Sequence, residues 1–158
     1  MKFTIILTCV ATVTVGVGFW YIGRERRWLR AQRAKVILYL DGEGVQHRGV
    51  GGQPVWFVSP YISVWEVESQ ATAGVVGWWA ISGDFPTDYV SGNDAHDPRS
   101  VLAHFARHWS EISAAMLRGE AHPEVTIGTP DEWPHLGDLL QRRSQILAQF
   151  AEDENVWN

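Results

Sequence analysis

The chain is almost without cysteine. Cys9 is the single one among 158 residues, which excludes an internal disulfide and a cysteine-based zinc site. Internal repeats and low-complexity tracts are absent too, so a repeat array drops out. No Walker sequence occurs. The glycine-rich stretch Asp41–Pro54, "DGEGVQHRGVGGQP", lacks the strand before and helix after that a phosphate loop requires, and it reads as a flexible connector. Positive charge is scarce past residue 50: residues 51–158 carry five Lys/Arg against fifteen Asp/Glu, net −10, while residues 1–50 carry eight against three, net +5. An acidic domain argues against nucleic acid as a partner, because that needs a basic face. It suits a basic protein partner instead, although the same charge also serves plain solubility.

What is present describes a globular protein. Apolar residues make up 46% and charged residues 20%, and 158 residues give room for one domain and a small appendage. Nine tryptophans are a heavy load, and some of them must line a core or a contact surface.

Charge is also missing from Phe3 to Ile22, "FTIILTCVATVTVGVGFWYI". A helix of that length spans the roughly 30 Å hydrocarbon layer at about 1.5 Å per residue. Trp20 and Tyr21 stand where interfacial aromatics belong. A cleaved signal peptide is the alternative; the run is longer than a typical apolar signal core and no small-residue cleavage site closes it. The flank "RERRWLRAQRAK" holds Arg24, Arg26, Arg27, Arg30, Arg33 and Lys35, against Lys2 alone on the other side. Positive charge stays cytoplasmic, so the expectation is a single-pass protein of the cell inner membrane with its C-terminal domain inside. The lipid partner is then met by residues 3–22 and by the arginine-rich flank, which attracts anionic headgroups. Thr4, Thr8, Thr12 and Gly16 recur every four residues, and such a small-residue face offers a homodimer contact in lipid.

The rest of the chain reads as α+β: a small, mostly antiparallel sheet covered by helices, after the one transmembrane helix. The domain expected at residues 24–158 opens with a basic helix over residues 24–40, with Trp28, Leu29, Val36, Ile37 and Leu40 near helical spacing. This helix continues the membrane segment through Gly23. Strands are expected at Val55–Val58, Tyr61–Glu68 and Val75–Ser82, with "SQATAG" turning the chain between the last two. In Tyr61–Glu68 the alternation sends Tyr61, Ser63, Trp65 and Val67 one way and Ile62, Val64, Glu66 and Glu68 the other. Asp97 as N-cap and Pro98 at the first position open a helix that ends near Arg118-Gly119. "TPDEWP" announces a second over His135–Glu152, with a small extra strand at Val125–Ile127 between them.

Three groups of residues bear on chemistry. "GWWAISGDFPTDY", Gly77–Tyr89, sets Trp78 and Trp79 on opposite faces of a strand and follows them with Asp84 and Asp88. Aspartates beside Gly83 and Pro86 accept backbone hydrogen bonds in turns, which accounts for every residue type here; two turns are expected, at Gly83-Asp84 and at Pro86-Thr87-Asp88. The catalytic alternative makes Asp84 and Asp88 an acid–base pair, which requires a cleft and one raised pKa. Trp78, Trp79, Asp84, Asp88 and Tyr89 together form the expected contact surface. His104 and His108 stand at i, i+4, a spacing that can place two imidazoles on one metal, although boundary histidines of an amphipathic helix read the same way and no cofactor is called for. That helix has Val101, Leu102, Phe105, Trp109, Ile112 and Met116 as its core stripe. A triad through Ser82 lacks the G-x-S-x-G setting.

The stretches "QRAKVILYL", "VSPYISVWEVES", "GWWAISGDFPTDY", "RGEAHPEVTIG" and "WPHLGDLLQRR" resemble a family of small bacterial proteins that is known as a domain of unknown function. The resemblance runs from about Trp28 to Trp157, and its most distinctive run is WW-ISGD-PTDY. It implies a soluble domain with no established activity, cofactor or catalytic residue, so the N-terminal apolar run is a departure from it. The functional expectation is a membrane-anchored protein with a macromolecule-binding or regulatory domain. The alternatives are a hydrolase or metal-dependent enzyme using Asp84/Asp88 and His104/His108, and an immunity-type protein.

Overall fold

A computed structural model describes the backbone of residues 4–120, 122–123, 125 and 128–157, and side chains from residue 23 onward. The side chains of the expected membrane segment 3–22, with its Thr4, Thr8, Thr12 and Gly16 face, lie outside what is so described, as does most of the small strand at Val125–Ile127. The fold is α+β, with three helices and an antiparallel sheet. Its elements are α1 (Thr4–Gly42), β1 (His47–Val50), β2 (Trp56–Val58), β3 (Ile62–Ser69), β4 (Val76–Gly83), β5 (Asp88–Ser91), α2 (Pro98–Leu117) and α3 (Trp133–Glu152), closed by a 3-10 turn at Glu154–Val156. The sheet runs β1-β3-β4-β5, with β2 also paired to β3. The chain divides into two compact units, Met1–Val75 with Ala80–Tyr89, and Val76–Trp79 with Val90–Asn158. Among the described residues no helix is long and apolar enough to cross a membrane.

In the first unit α1 passes Gly23 without a break. Leu29, Val36 and Leu40 are buried at helical spacing and set one face of α1 against β1 and β3. Trp28 and Ile37, also expected on that face, are only half-buried. Arg33 sits on the same face, and its Nε and Nη2 donate to the Gly51 and Val50 carbonyls, both at 2.8 Å. The expected connector Asp41–Pro54 is corrected by β1, which pairs His47 with Ser69, Gly49 with Glu68 and Val50 with Val67 across a register shift. Only Val50 of this strand is buried, so it carries no apolar alternation.

Strands β2 and β3 fall within a residue of expectation. Ile62, Ser63, Val64, Trp65 and Val67 of β3 are all buried, so both faces of its alternation are covered near its start. At the end of β4, Gly83 takes φ +146°, and a Cβ there would lie 2.0 Å from the Tyr61 carbonyl oxygen, so no other residue fits. The close approach lets the Asp84 N–H donate to that same oxygen at 2.8 Å. The second expected turn is also corrected, since Asp88 already opens β5.

The second unit contains a helical hairpin. Asp97 caps α2 as expected: its Oδ1 accepts from the Ser100 N–H at 2.7 Å while the Ser100 Oγ accepts from the Asp97 N–H at 3.0 Å. Five of the six expected core residues are buried; Ile112 is half-buried and Ser113 takes the interior beside it. Helix α3 begins at Trp133, two residues earlier than expected. The helices run antiparallel. Gly137 near the start of α3 sits so close to the end of α2 that a Cβ would lie 3.1 Å from Met116 and Leu117 side-chain atoms, while Arg99 at the start of α2 donates to the Ala151 carbonyl at 2.7 Å.

Candidate functional site

The first unit holds a groove of about 670 Å³. One wall is α1, which supplies Glu25, Arg26, Leu29, Arg30 and Arg33; the segment after β1 adds Gly52 and Gln53, and β2 and β3 add Phe57 and Trp65. Arg26, Arg30 and Arg33 recur at i, i+4 and i+7, which stacks them on one helix face. Among the described residues none of the three is in an ion pair with a carboxylate. Trp65 is buried, and Phe57 is 37% exposed.

Trp65 ties the groove to a buried chain of hydroxyls. Its Nε1 donates to Ser63 Oγ at 2.9 Å, and Ser63 Oγ donates to the Ser82 carbonyl at 3.1 Å. The Ser82 hydroxyl donates to Gln32 Oε1 at 2.9 Å, with Thr87 Oγ1 at 3.4 Å. An amide oxygen and a second hydroxyl cannot take a proton from Ser82 as a general base would, and Ser82 is fully buried. This serine is a structural hydrogen-bonding residue, and no nucleophile.

A second cluster of the same unit is acidic and aromatic. The Tyr39 and Tyr89 rings meet with centroids 6.2 Å apart, tilted by 60°. Burial, reinforced by the nearby charges of Asp88 and Glu43, pushes the Tyr39 phenol up to about 12. Tyr89 is raised for the same reasons, burial first and then Glu43 and Asp88. Both phenols are therefore neutral hydrogen-bonding groups near neutral pH, set in a negative field.

The expected contact residues divide between the two units. Asp84, Asp88 and Tyr89 belong to the first; Trp78 and Trp79 belong to the second. Asp84 is exposed beside the Gly83 turn, where Tyr61 is also 53% exposed. The Asp88 carboxylate accepts from the Tyr89 N–H at 2.8 Å, the turn-type contact expected of it. Trp79 is buried at 4% exposure and Trp78 is half-buried. His104 and His108 stack on α2 with ring centroids 5.8 Å apart, and the Phe105 ring lies edge-on to His104 at 5.4 Å. No group of three metal-ligating side chains forms among the described residues. The groove was missed by sequence reasoning, which treated its arginines as a topological signal and a diffuse attraction for headgroups. A clue existed: Arg26, Arg30 and Arg33 recur at i, i+4 and i+7, on a face that borders the buried Leu29 and Val36.

These features define a small α+β protein with two charged surfaces of opposite sign and no assembled catalytic group among its described residues. The chain belongs to the family described as Domain of unknown function (DUF4826), whose model matches residues 23–157. No curated protein and no solved structure matches it.

Proposed function

We propose that the protein is a membrane-anchored binding protein: residues 1–23 hold it in the cell inner membrane, and residues 24–158 form a cytoplasmic domain that binds a basic macromolecule. One observation carries the reading. Helix α1 is continuous from Thr4 to Gly42, and its uncharged stretch up to Ile22 gives way at once to the basic residues that start at Arg24. A helix built in this way joins an anchor rigidly to a domain and keeps its positive end on the cytoplasmic side. The family match begins at residue 23, which agrees with a domain that starts where the apolar run stops. We read that family as bacterial, with WW-ISGD-PTDY as its mark.

The partner surface is the acidic, aromatic cluster of Tyr39, Glu43, Asp88 and Tyr89, extended by Asp84. Tyrosine faces and carboxylates together suit Lys or Arg side chains, by cation–π contact and charge. The small-residue face of residues 4–16 adds self-association in the membrane.

Two measurements test the proposal. A reporter fused after Asn158 is active in its cytoplasmic form; activity of the form specific to the far side overturns the orientation. A lysine-rich peptide binds the full chain in detergent and weakens with salt, and Glu43→Gln with Asp88→Asn reduces its affinity about tenfold, as expected for lost charge pairs. Unchanged affinity in that variant rejects the cluster as the contact.

A further inference from the structure

We infer that the groove on α1 is a site for the phosphodiester headgroup of one anionic phospholipid, gripped between Arg26 and Arg30. The inference rests on the membrane-anchored reading above and goes beyond it, since a basic flank attracts headgroups diffusely whereas this groove selects one.

The helix geometry comes first. At about 100° per residue, Arg26, Arg30 and Arg33 fall within roughly 60° of one another, and Arg24 and Arg27 point about 150° and 90° away from the middle of that group. The chain thus aims three guanidinium groups into one cavity, where an orientation signal alone asks for no particular face. Like charges at this spacing disfavour the helix. Glu25 is the one carboxylate in the lining, and neither it nor the arginines form an ion pair among the described residues. Arg33 has its donors satisfied by the Val50 and Gly51 carbonyls, which are neutral and leave its charge in place. The groove therefore carries three guanidinium charges against the single carboxylate of Glu25. Guanidinium forks one turn apart are spaced to take a phosphate between them, each offering paired N–H donors.

The remaining lining decides which phosphate. Leu29, Phe57 and Trp65 give the cavity an apolar side, which suits a ligand whose phosphate continues into glycerol and acyl carbons. The cavity, at about 670 Å³, is large enough for a headgroup. Position agrees: Arg26 follows Ile22 by four residues, about 6 Å along a helix, which is the depth at which headgroup phosphates lie next to the hydrocarbon layer.

The test uses the full chain in a non-ionic detergent, with bound lipid counted by native mass spectrometry during titration with short-chain phosphatidylglycerol or phosphatidylcholine. One phosphatidylglycerol is retained per chain in preference to phosphatidylcholine. Arg26→Gln with Arg30→Gln weakens that binding at least about tenfold, the loss expected for charge-assisted hydrogen bonds. Arg24→Gln with Arg27→Gln removes the same charge from the other faces and changes it by less than about threefold. Gln53→Glu leaves the helix untouched, places a carboxylate in the groove, and also lowers affinity about tenfold. Equal losses in the two arginine doubles, or no effect of Gln53→Glu, overturn the site in favour of diffuse attraction. Displacement of the lipid by an equal concentration of inorganic phosphate overturns the lipid assignment. Sedimentation with membranes is measured on the same proteins: every variant sediments, so loss of lipid preference with sedimentation intact rejects the groove alone, and failure of the wild type to sediment rejects the anchor alone.

Discussion

In the helical hairpin of the second unit, Arg99 meets Glu154 at 2.6 Å, Arg118 meets Glu120 at 2.7 Å and Arg142 meets Asp138 at 3.0 Å. On α1 of the first unit, Arg26, Arg30 and Arg33 form no ion pair with a carboxylate among the described residues. The hydrogen bonds in the first two of those pairs hold the Arg99 and Arg118 guanidinium groups above their usual range and the Glu154 and Glu120 carboxyls below theirs. The same residue type thus serves two ends. Where the acids are local, arginine closes the surface of a helix pair whose α3 side buries Gly137, Ser144, Leu147 and Ala151. Where they are missing, Arg33 ties α1 to the Val50 and Gly51 carbonyls instead, over an interior in which Ile62, Val64, Trp65, Val67 and Leu40 are fully or almost fully buried. The charges on that face are the ones assigned above to the proposed headgroup.

The comparison can be broken in the core first. Trp65→Ala removes the largest buried side chain of the first unit and leaves the Ser63 hydroxyl without its indole donor, so a loss of roughly 3–5 kcal/mol is expected in urea unfolding. A loss no greater than a surface change gives would mean that the sheet does not hold this unit up. Next in size is the seam of the hairpin. Gly137→Val has to push aside Met116, Leu117 and the Ser113 carbonyl, each within 3.2 Å of the new Cβ, at about 1–3 kcal/mol. An unchanged midpoint would show that α2 and α3 separate freely.

Smaller effects discriminate between the two sets of arginines. Arg99→Gln gives up bonds to both Ala151 O and Glu154, and the unfolding midpoint falls measurably. Alkali tests the acidic cluster. The Tyr39 phenol binds its proton more tightly in the folded chain, so its contribution is whole below pH 10 and is lost as pH rises toward about 12. In Tyr39→Phe that part of the alkaline loss disappears, although solvent screening of a half-open ring keeps the difference modest. The smallest effect has the opposite sign: Arg26→Gln with Arg30→Gln relieves like-charge repulsion and raises stability by about 0.2–0.5 kcal/mol. A clear loss of stability there would erase the contrast between the units.

Much of this was legible from residue order, and the gaps have physical causes. The capping box at Asp97, the core stripe of α2 and strands β2 to β4 are local patterns, so they can be read without knowing what packs where. Strand β1 hid inside "DGEGVQHRGVGGQP" because its backbone pairs with β3 while only Val50 is buried. Strand β5 hid behind turn residues, Pro86 and Asp88. In β3, Glu66 is the one exposed residue of the first six, too little polar marking to reveal that both faces are covered. Gly83 was recognised as a turn residue, but its close contact with Tyr61 is a tertiary fact. The groove needed Gln53, Phe57 and Trp65 brought to α1 across more than twenty residues, and nothing local announces that.

The most direct test of the whole account is alkaline carbonate extraction of membranes from cells that carry the full chain. An unbroken α1 whose uncharged stretch lies in the bilayer predicts that the protein stays in the membrane pellet at pH 11, and that Val13→Lys with Val15→Lys moves it to the supernatant. Complete release of the wild-type chain would contradict the account.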